Sequence, residues 1–231
     1  MPARSLLYYI TDRTAFPGNE ASRRLQLLAK IAEAAAASVD YIQLREKDLT
    51  SRDLESLAHE VMQVIRTGSG LATDHCPLTT ALLINSRTDI ALAVHAAGIH
   101  LPADDVLPAD VRKIWSCGAG APAREISPTA PLISVACHSP EGVIAASRNA
   151  ASLALFAPVF EKKDAPGATA QGLAALHQAC QANIPVLALG GITLENASFC
   201  LQAGAAGIAA IRLFQENNIA HVVHKLRETS L

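Results

Sequence analysis

The sequence predicts a (β/α)8 barrel of the TIM type, an α/β fold in which residues 1–231 form one domain. Eight short apolar runs alternate with eight helix-patterned segments from one end to the other. The length of 231 residues is close to the roughly 250 usual for such barrels. Charged and polar residues also collect where each apolar run passes into its helix, the edge at which such barrels bind ligands. A doubly wound open sheet is the competing arrangement, but no G-x-G-x-x-G turn follows the first strand.

In chain order, the first strand is expected at Leu6–Thr11 and its helix at Ala21–Ala37, where apolar residues recur at helical spacing from Arg23 onward. The second strand, Val39–Leu44, ends abruptly in the charged run Arg45-Glu46-Lys47-Asp48. Ser51 then caps a helix to Arg66, with Leu54, Leu57, Ala58, Val61, Val64 and Ile65 on one face. The remaining strands are expected at Ala81–Asn85, Gly98–Leu101, Leu132–Cys137, Ser152–Pro158, Ile184–Leu189 and Ala206–Ile211. Their helices fall at Arg87–Ala96, Pro108–Trp115, Pro140–Ala150, Gly172–Ala182, Leu194–Ala203 and Asn217–Glu228. Two Gly- and Pro-bearing segments, residues 67–79 and 117–131, read as irregular connections on the opposite, stability-bearing side of the barrel.

Half of the residues are hydrophobic and 17% are charged, a balance that buries a large core and excludes a disordered chain. A net charge of -2 and a pI near 6.4 argue against nucleic acid or an anionic membrane as partner. Aromatic residues, at 4%, are too few for a base-stacking surface. No signal peptide or membrane-length apolar run is visible, and five cysteines without paired spacing suit reduced thiols, so a cytoplasmic location is expected.

The strand ends carry the candidate chemistry. Arg45 and Lys47 suit an anionic, phosphorylated ligand, although the same four charges also suit solvated surface ion pairs. Gly190-Gly191 at the seventh strand end lets backbone approach a phosphate, beside the N-terminus of a helix that starts after Thr193. Arg212, at the eighth strand end, adds a cation there. Asp104 and Asp105 offer oxygen ligands to Mg²⁺ or, equally, acids at a helix start. His138 follows an apolar strand and is a candidate general acid or base, or else a structural histidine. Cys137 reads as a barrel residue, and Lys162 and Lys163 as cations on a loop that either closes over an anion or is simply solvated.

In order along the chain stand Y-I-T-D (9–12), Q-L-R-E-K-D-L (43–49), L-I-N-S-R-T-D-I-A-L-A (83–93), A-G-I-H-L (97–101), C-H-S (137–139) and P-V-F (158–160). G-L-A-A-L (172–176), I-P-V-L-A-L-G-G-I (184–192) and A-G-A-A-G-I-A (203–209) complete the series. It resembles the thiamine phosphate synthase/TenI superfamily over nearly the whole chain. The resemblance implies a (β/α)8 barrel acting in thiamine biosynthesis on small phosphorylated pyrimidine and thiazole substrates, often as a homo-oligomer. Synthases of this kind join hydroxymethylpyrimidine pyrophosphate to a thiazole phosphate and release pyrophosphate. Mg²⁺ and basic residues stabilise the leaving group while the thiazole nitrogen traps a pyrimidine cation. TenI proteins with the same barrel include thiazole tautomerases, which move a proton with a histidine and need no metal. A catalytically inactive barrel that binds phosphate ligands is a third reading.

By position, the resemblance assigns Gln43, Arg45, Lys47 and Asn85 to the pyrimidine-pyrophosphate side, Asp105 to Mg²⁺, Gly190 and Gly191 to the thiazole phosphate, and His138 to the histidine of some tautomerases. Lys47 is then the cation that serves the reaction itself. The chain departs from the synthase pattern at four places. Ser86 stands where a second carboxylate is usual and Ala136 where a serine is usual. Glu161-Lys162-Lys163 replaces a P-T-x-T-K loop, and Arg212 replaces a serine. Asp104 and one of the two lysines are the available substitutes. The four changes imply a tautomerase, whereas the retained Arg45, Lys47 and Asp105 imply a synthase, since a tautomerase has no pyrophosphate to hold.

Overall fold

The computed structural model describes residues 4–68, 80–117, 130–161 and 169–228. Eight parallel strands close into a barrel in sequence order, β1 next to β2 and so on around to β8, which pairs back with β1. They are β1 (Leu6–Ile10), β2 (Tyr41–Leu44), β3 (Ala81–Asn85), β4 (Gly98–Leu101), β5 (Leu132–Cys137), β6 (Leu153–Phe156), β7 (Val186–Leu189) and β8 (Gly207–Ala210). Each lies within the run the sequence marks as a strand.

Both faces of every strand are covered, which explains why the runs read as continuously apolar. One parity points into the barrel, where Tyr8, Ile10, Leu83, Leu153, Leu155, Leu187 and Ala209 form the inner core. The other parity, including Leu7, Tyr9, Ile42, Leu44, Ile84 and Phe156, packs outward against the helices.

The helices are α1 (Glu20–Ala36), α2 (Ser51–Gly68), α3 (Thr88–Ala93), α4 (Pro108–Cys117), α5 (Pro140–Arg148), α6 (Gly172–Ala179), α7 (Ala197–Gln202), α8 (Arg212–Gln215) and α9 (Ile219–Glu228). Asn19 caps α1 through Ser22 N at 3.0 Å, and Ser139 caps α5 through Gly142 N at 3.1 Å. Helix α2 corrects the expected cap: Thr50 Oγ1 accepts from Asp53 N at 3.2 Å and donates to Asp53 Oδ2 at 2.6 Å. Ser51 Oγ instead accepts from Arg87 at 2.8 Å. The same helix runs two residues past Arg66, so residues 67 and 68, expected to be irregular, are helical. The rest of that segment, and almost all of 117–131, lies outside the described residues.

Two further differences bear on the ligand edge. Helix α7 starts three residues after the expected Leu194, because Asn196 Oδ1 accepts from Thr193 N at 2.8 Å and its Nδ2 donates to Gly191 O at 2.9 Å. Those bonds hold 191–196 in a turn. A short helix, α8, also precedes α9; four residues are too few to show a periodicity. Its Gln215 is buried, accepts from the Tyr9 hydroxyl at 3.0 Å and donates to Asp12 O at 2.6 Å. This ties the end of β8 to the end of β1. Among the described residues no helix is long and apolar enough to cross a membrane.

Candidate active site at the C-terminal mouth

A cavity of about 420 Å³ opens at the C-terminal ends of the strands. Gln43, Arg45, Lys47, Asn85, His138, Gly190, Gly191 and Arg212 all line it. Five strand ends, those of β2, β3, β5, β7 and β8, therefore deliver sequence candidates to one place.

Strand parity explains the β2 contribution. Gln43, Arg45 and Lys47 alternate toward the cavity, and Glu46 turns the other way and is 4% exposed. Glu46 meets a buried Arg13: Arg13 Nη1 donates to Glu46 Oε2 at 3.2 Å, and the Arg13 backbone N–H donates to the same oxygen at 3.0 Å. Thr11 Oγ1 donates to Glu46 Oε1 at 2.6 Å and accepts from Arg45 N at 3.0 Å. Asp48 takes the guanidinium in a two-pronged pair at 2.7 and 2.8 Å. Hydrogen bonding to Arg13 holds the Asp48 carboxyl below its ordinary range. Burial pushes the Glu46 carboxyl upward, against the bonds from Thr11 and Arg13.

Beneath the cations lies a buried polar row. The Tyr8 hydroxyl donates to Gln43 Oε1 at 3.1 Å, and Gln43 Nε2 donates to Asn85 Oδ1 at 2.8 Å. Asn85 Nδ2 donates to Ser86 Oγ at 3.1 Å, with Ser86 held at φ 59°. On the other side Tyr8 OH is 2.9 Å from Ser134 Oγ, which is 2.8 Å from His100 Nδ1. Because the Tyr8 proton goes to Gln43, its oxygen accepts from Ser134, and Ser134 in turn accepts from His100 Nδ1–H. His100 lines the cavity at 6% exposure, leaving its Nε2 as an acceptor. Burial, then the positive charges of Arg45 and Lys47, pull its imidazole down to about 3, so it is neutral at physiological pH.

Sequence reasoning assigned no role to Tyr8, Arg13, His100 or Ser134. The available signal was a polar residue at inward parity inside an apolar strand, as in L-I-S-V-A-C and G-I-H-L.

His138 is exposed at the end of β5, with Nδ1 2.7 Å from Ala157 O. Gly190 and Gly191 adopt φ 95° and 66°. A Cβ on Gly190 would lie 2.8 Å from Pro158, and one on Gly191 would lie 2.7 Å from both Glu161 O and Phe160 Cβ. Glycine is thus required twice over, by conformation and by the closeness of the loop after β6. That loop is tied down by Val159 N to Leu189 O at 2.9 Å and Phe160 N to Gly190 O at 3.1 Å. The Thr193 N–H is used within the turn, so the expected helix start directly after Thr193 is corrected: α7 begins further on and has six residues. Arg212 is exposed at the first residue of α8, on the cavity rim. Lys162 and Lys163 lie outside the described residues.

The acidic candidates sit apart from the rest. Asp105 lines a neighbouring cavity of about 340 Å³ that shares Pro102, Ala103, Ala136 and His138 with the first. Its Oδ1 accepts from Val106 N at 2.8 Å, and Asp104 is exposed. Among the described residues no three His, Cys, Asp or Glu side chains converge to cage a metal. One carboxylate with a spare oxygen beside an anion cavity does fit a Mg²⁺ ion that brings phosphate oxygens and water as its other ligands. Cys137 is buried in the sheet–helix layer with its thiol pushed up to about 11, which suits no nucleophile.

The sequence model described as thiamine monophosphate synthase matches residues 7–214. The chain is 34% identical over 227 residues to a thiamine-phosphate synthase of Syntrophomonas wolfei, covering 96% of this chain and 94% of that one. It is 32% identical over 228 residues to a thiamine-phosphate synthase of Methanoculleus marisnigri, with 96% and 93% covered. Among solved structures, thiamine phosphate pyrophosphorylase from Pyrococcus furiosus superposes with a TM-score of 0.73 at 25% identity, covering 97% of this chain and 95% of that one. With a family model matched over residues 7–214 and relatives above 30% identity over nearly its whole length, the chain belongs to the thiamine monophosphate synthase family.

Proposed function

We propose that the protein is a thiamine-phosphate synthase, a transferase that joins hydroxymethylpyrimidine pyrophosphate to thiazole phosphate and releases pyrophosphate. The observation that carries this reading is the gathering of Arg45, Lys47, Gln43, Asn85, Gly190 and Gly191 around one cavity of about 420 Å³. Relatives named for this activity span nearly the whole chain and support it.

In this reading Arg45 and Lys47 take the pyrophosphate and stabilise the charge that grows on it as the C–O bond breaks. Gln43 and Asn85, locked to each other and to Tyr8, orient the pyrimidine ring. The Gly190-Gly191 backbone takes the thiazole phosphate, with Arg212 at the rim. Ile10, Leu155, Leu189 and Ile211 give the cavity apolar walls that exclude water from a cationic intermediate. Mg²⁺ arriving with the pyrophosphate would be held by Asp105, with Asp104 beside it, and would neutralise further phosphate charge. Five cysteines without paired spacing support a cytoplasmic site of action.

A second reading, thiazole tautomerase, draws on His138. Its Nδ1–H donates to Ala157 O, which leaves Nε2 as a base at the junction of the two cavities. Purified protein given the pyrimidine pyrophosphate, thiazole phosphate and Mg²⁺ separates the two: thiamine phosphate forms in the first and not in the second.

A further inference from the structure

The run Arg45-Glu46-Lys47-Asp48 carries no net charge, yet it lines an anion cavity with cations alone. Two carboxylates stand next in sequence to the two cations. They are held elsewhere by Arg13, from the loop after β1.

We infer that Arg13 is a positioning residue for the anion site: by gripping Glu46 and Asp48 it fastens the loop after β2, so that Arg45 and Lys47 are held facing the pyrophosphate. The inference rests on the synthase reading of those two cations. Arg13 is 3% exposed, and its guanidinium is shared among three carboxylates. Glu46 is buried at its side, and Asp48 takes both terminal nitrogens. The fork geometry matters, because one planar cation reaches both carboxylates at once and a lysine does not. Thr11 completes the link by bonding Glu46 through its hydroxyl proton and Arg45 N through its oxygen. The loop after β2 is therefore fastened at residues 45, 46 and 48, and the side chain of Lys47 is exposed toward the cavity.

The third carboxylate, Glu20, supplies an internal control. It pairs with Arg13 Nε at 2.7 Å, the same distance as the Asp48 pair, and both acids have 56% of the side chain exposed. Glu20 belongs to α1, so removing it takes a pair from Arg13 without freeing the cation loop. Both acids are exposed enough for their amide variants to fold.

The experiment is calorimetric titration of the full chain with inorganic pyrophosphate at fixed Mg²⁺, alongside steady-state kinetics. Asp48→Asn is expected to weaken pyrophosphate binding by roughly tenfold, the scale of one charge-assisted contact. It should raise KM for the pyrimidine pyrophosphate and leave KM for thiazole phosphate unchanged. Asp48→Glu should recover part of the loss, and Glu20→Gln should bind as the unaltered chain does. The sign is decisive, because deleting an anion beside a cationic site tightens anion binding if only the Coulomb field is at work. Unchanged or tighter binding by Asp48→Asn, or an equal loss in Glu20→Gln, overturns the inference while the synthase reading stands. No pyrophosphate binding by the unaltered chain overturns the reading of the cations and the inference together.

Discussion

Nδ1 of His138 lies 2.7 Å from the carbonyl oxygen of Ala157. A carbonyl only accepts, so this nitrogen carries the proton, and Nε2 keeps its lone pair. In a synthase whose chemistry is departure of pyrophosphate and capture of a cation, that base has no proton to move. His138→Gln should therefore keep kcat/KM for thiamine phosphate formation within about tenfold of the unaltered enzyme. A loss of roughly 10² to 10⁴ would mark it as a general acid or base instead.

The glycine turn makes a stability prediction. Gly191→Ala places a side chain at φ 66° and within 2.7 Å of Glu161 O and Phe160 Cβ. The cost should be about 2 kcal/mol or more, a fall in Tm of roughly 4–8 °C for a chain of this size. Thermal unfolding of the variant measures it. KM for thiazole phosphate should rise as well, since the backbone can no longer keep its position against the loop after β6.

Lys47→Ala should lower kcat/KM by on the order of 10²-fold, because in the proposed synthase it removes a cation that would stabilise charge developing on the leaving pyrophosphate. Arg45→Lys should cost nearly as much as Arg45→Ala if the pyrophosphate is gripped in two-pronged fashion. Steady-state kinetics of the three variants distinguish a positioned clamp from a general positive field.

His100 gives a pH prediction. Its folded-state value of about 3 lies below the ordinary 6.5, so the unfolded chain takes up the proton first. Its contribution to stability is full above pH 7 and is lost as pH falls through 6.5 toward 3. Between pH 7 and pH 5 the loss should be about 2 kcal/mol. Denaturant unfolding of the unaltered chain and of His100→Gln should show a gap between them that narrows in acid by that amount. A ring resonance of His100 that titrates near pH 6 would contradict the buried, neutral assignment.

The strands were legible because a barrel strand is buried on both faces, and its apolar run announces itself without reference to any neighbour. The candidates at the strand ends were legible for a related reason: once the strands are placed, parity and direction put Arg45, Lys47, Asn85 and Gly190 at one rim. Contacts between distant residues were not. Nothing local to Glu46 says that it turns toward Arg13, 33 residues earlier, and nothing local to Ser134 says that it meets both Tyr8 and His100. The start of α7 is not legible locally, because Asn196 bonds backward to Gly191 and Thr193, a turn that competes with the helix its neighbours favour. The cap of α2 is Thr50 rather than Ser51, because the Thr50 hydroxyl both accepts from Asp53 N and donates to the Asp53 carboxylate three residues on.

The most direct test is turnover by the purified protein with hydroxymethylpyrimidine pyrophosphate, thiazole phosphate and Mg²⁺, following thiamine phosphate and pyrophosphate together. A synthase built on Arg45 and Lys47 gives the two products in equal amounts, dependent on Mg²⁺ and lost in Lys47→Ala or Asp105→Ala. No thiamine phosphate from folded protein, with proton exchange on the thiazole phosphate carboxylate that His138→Gln abolishes, would contradict the synthase and establish the tautomerase.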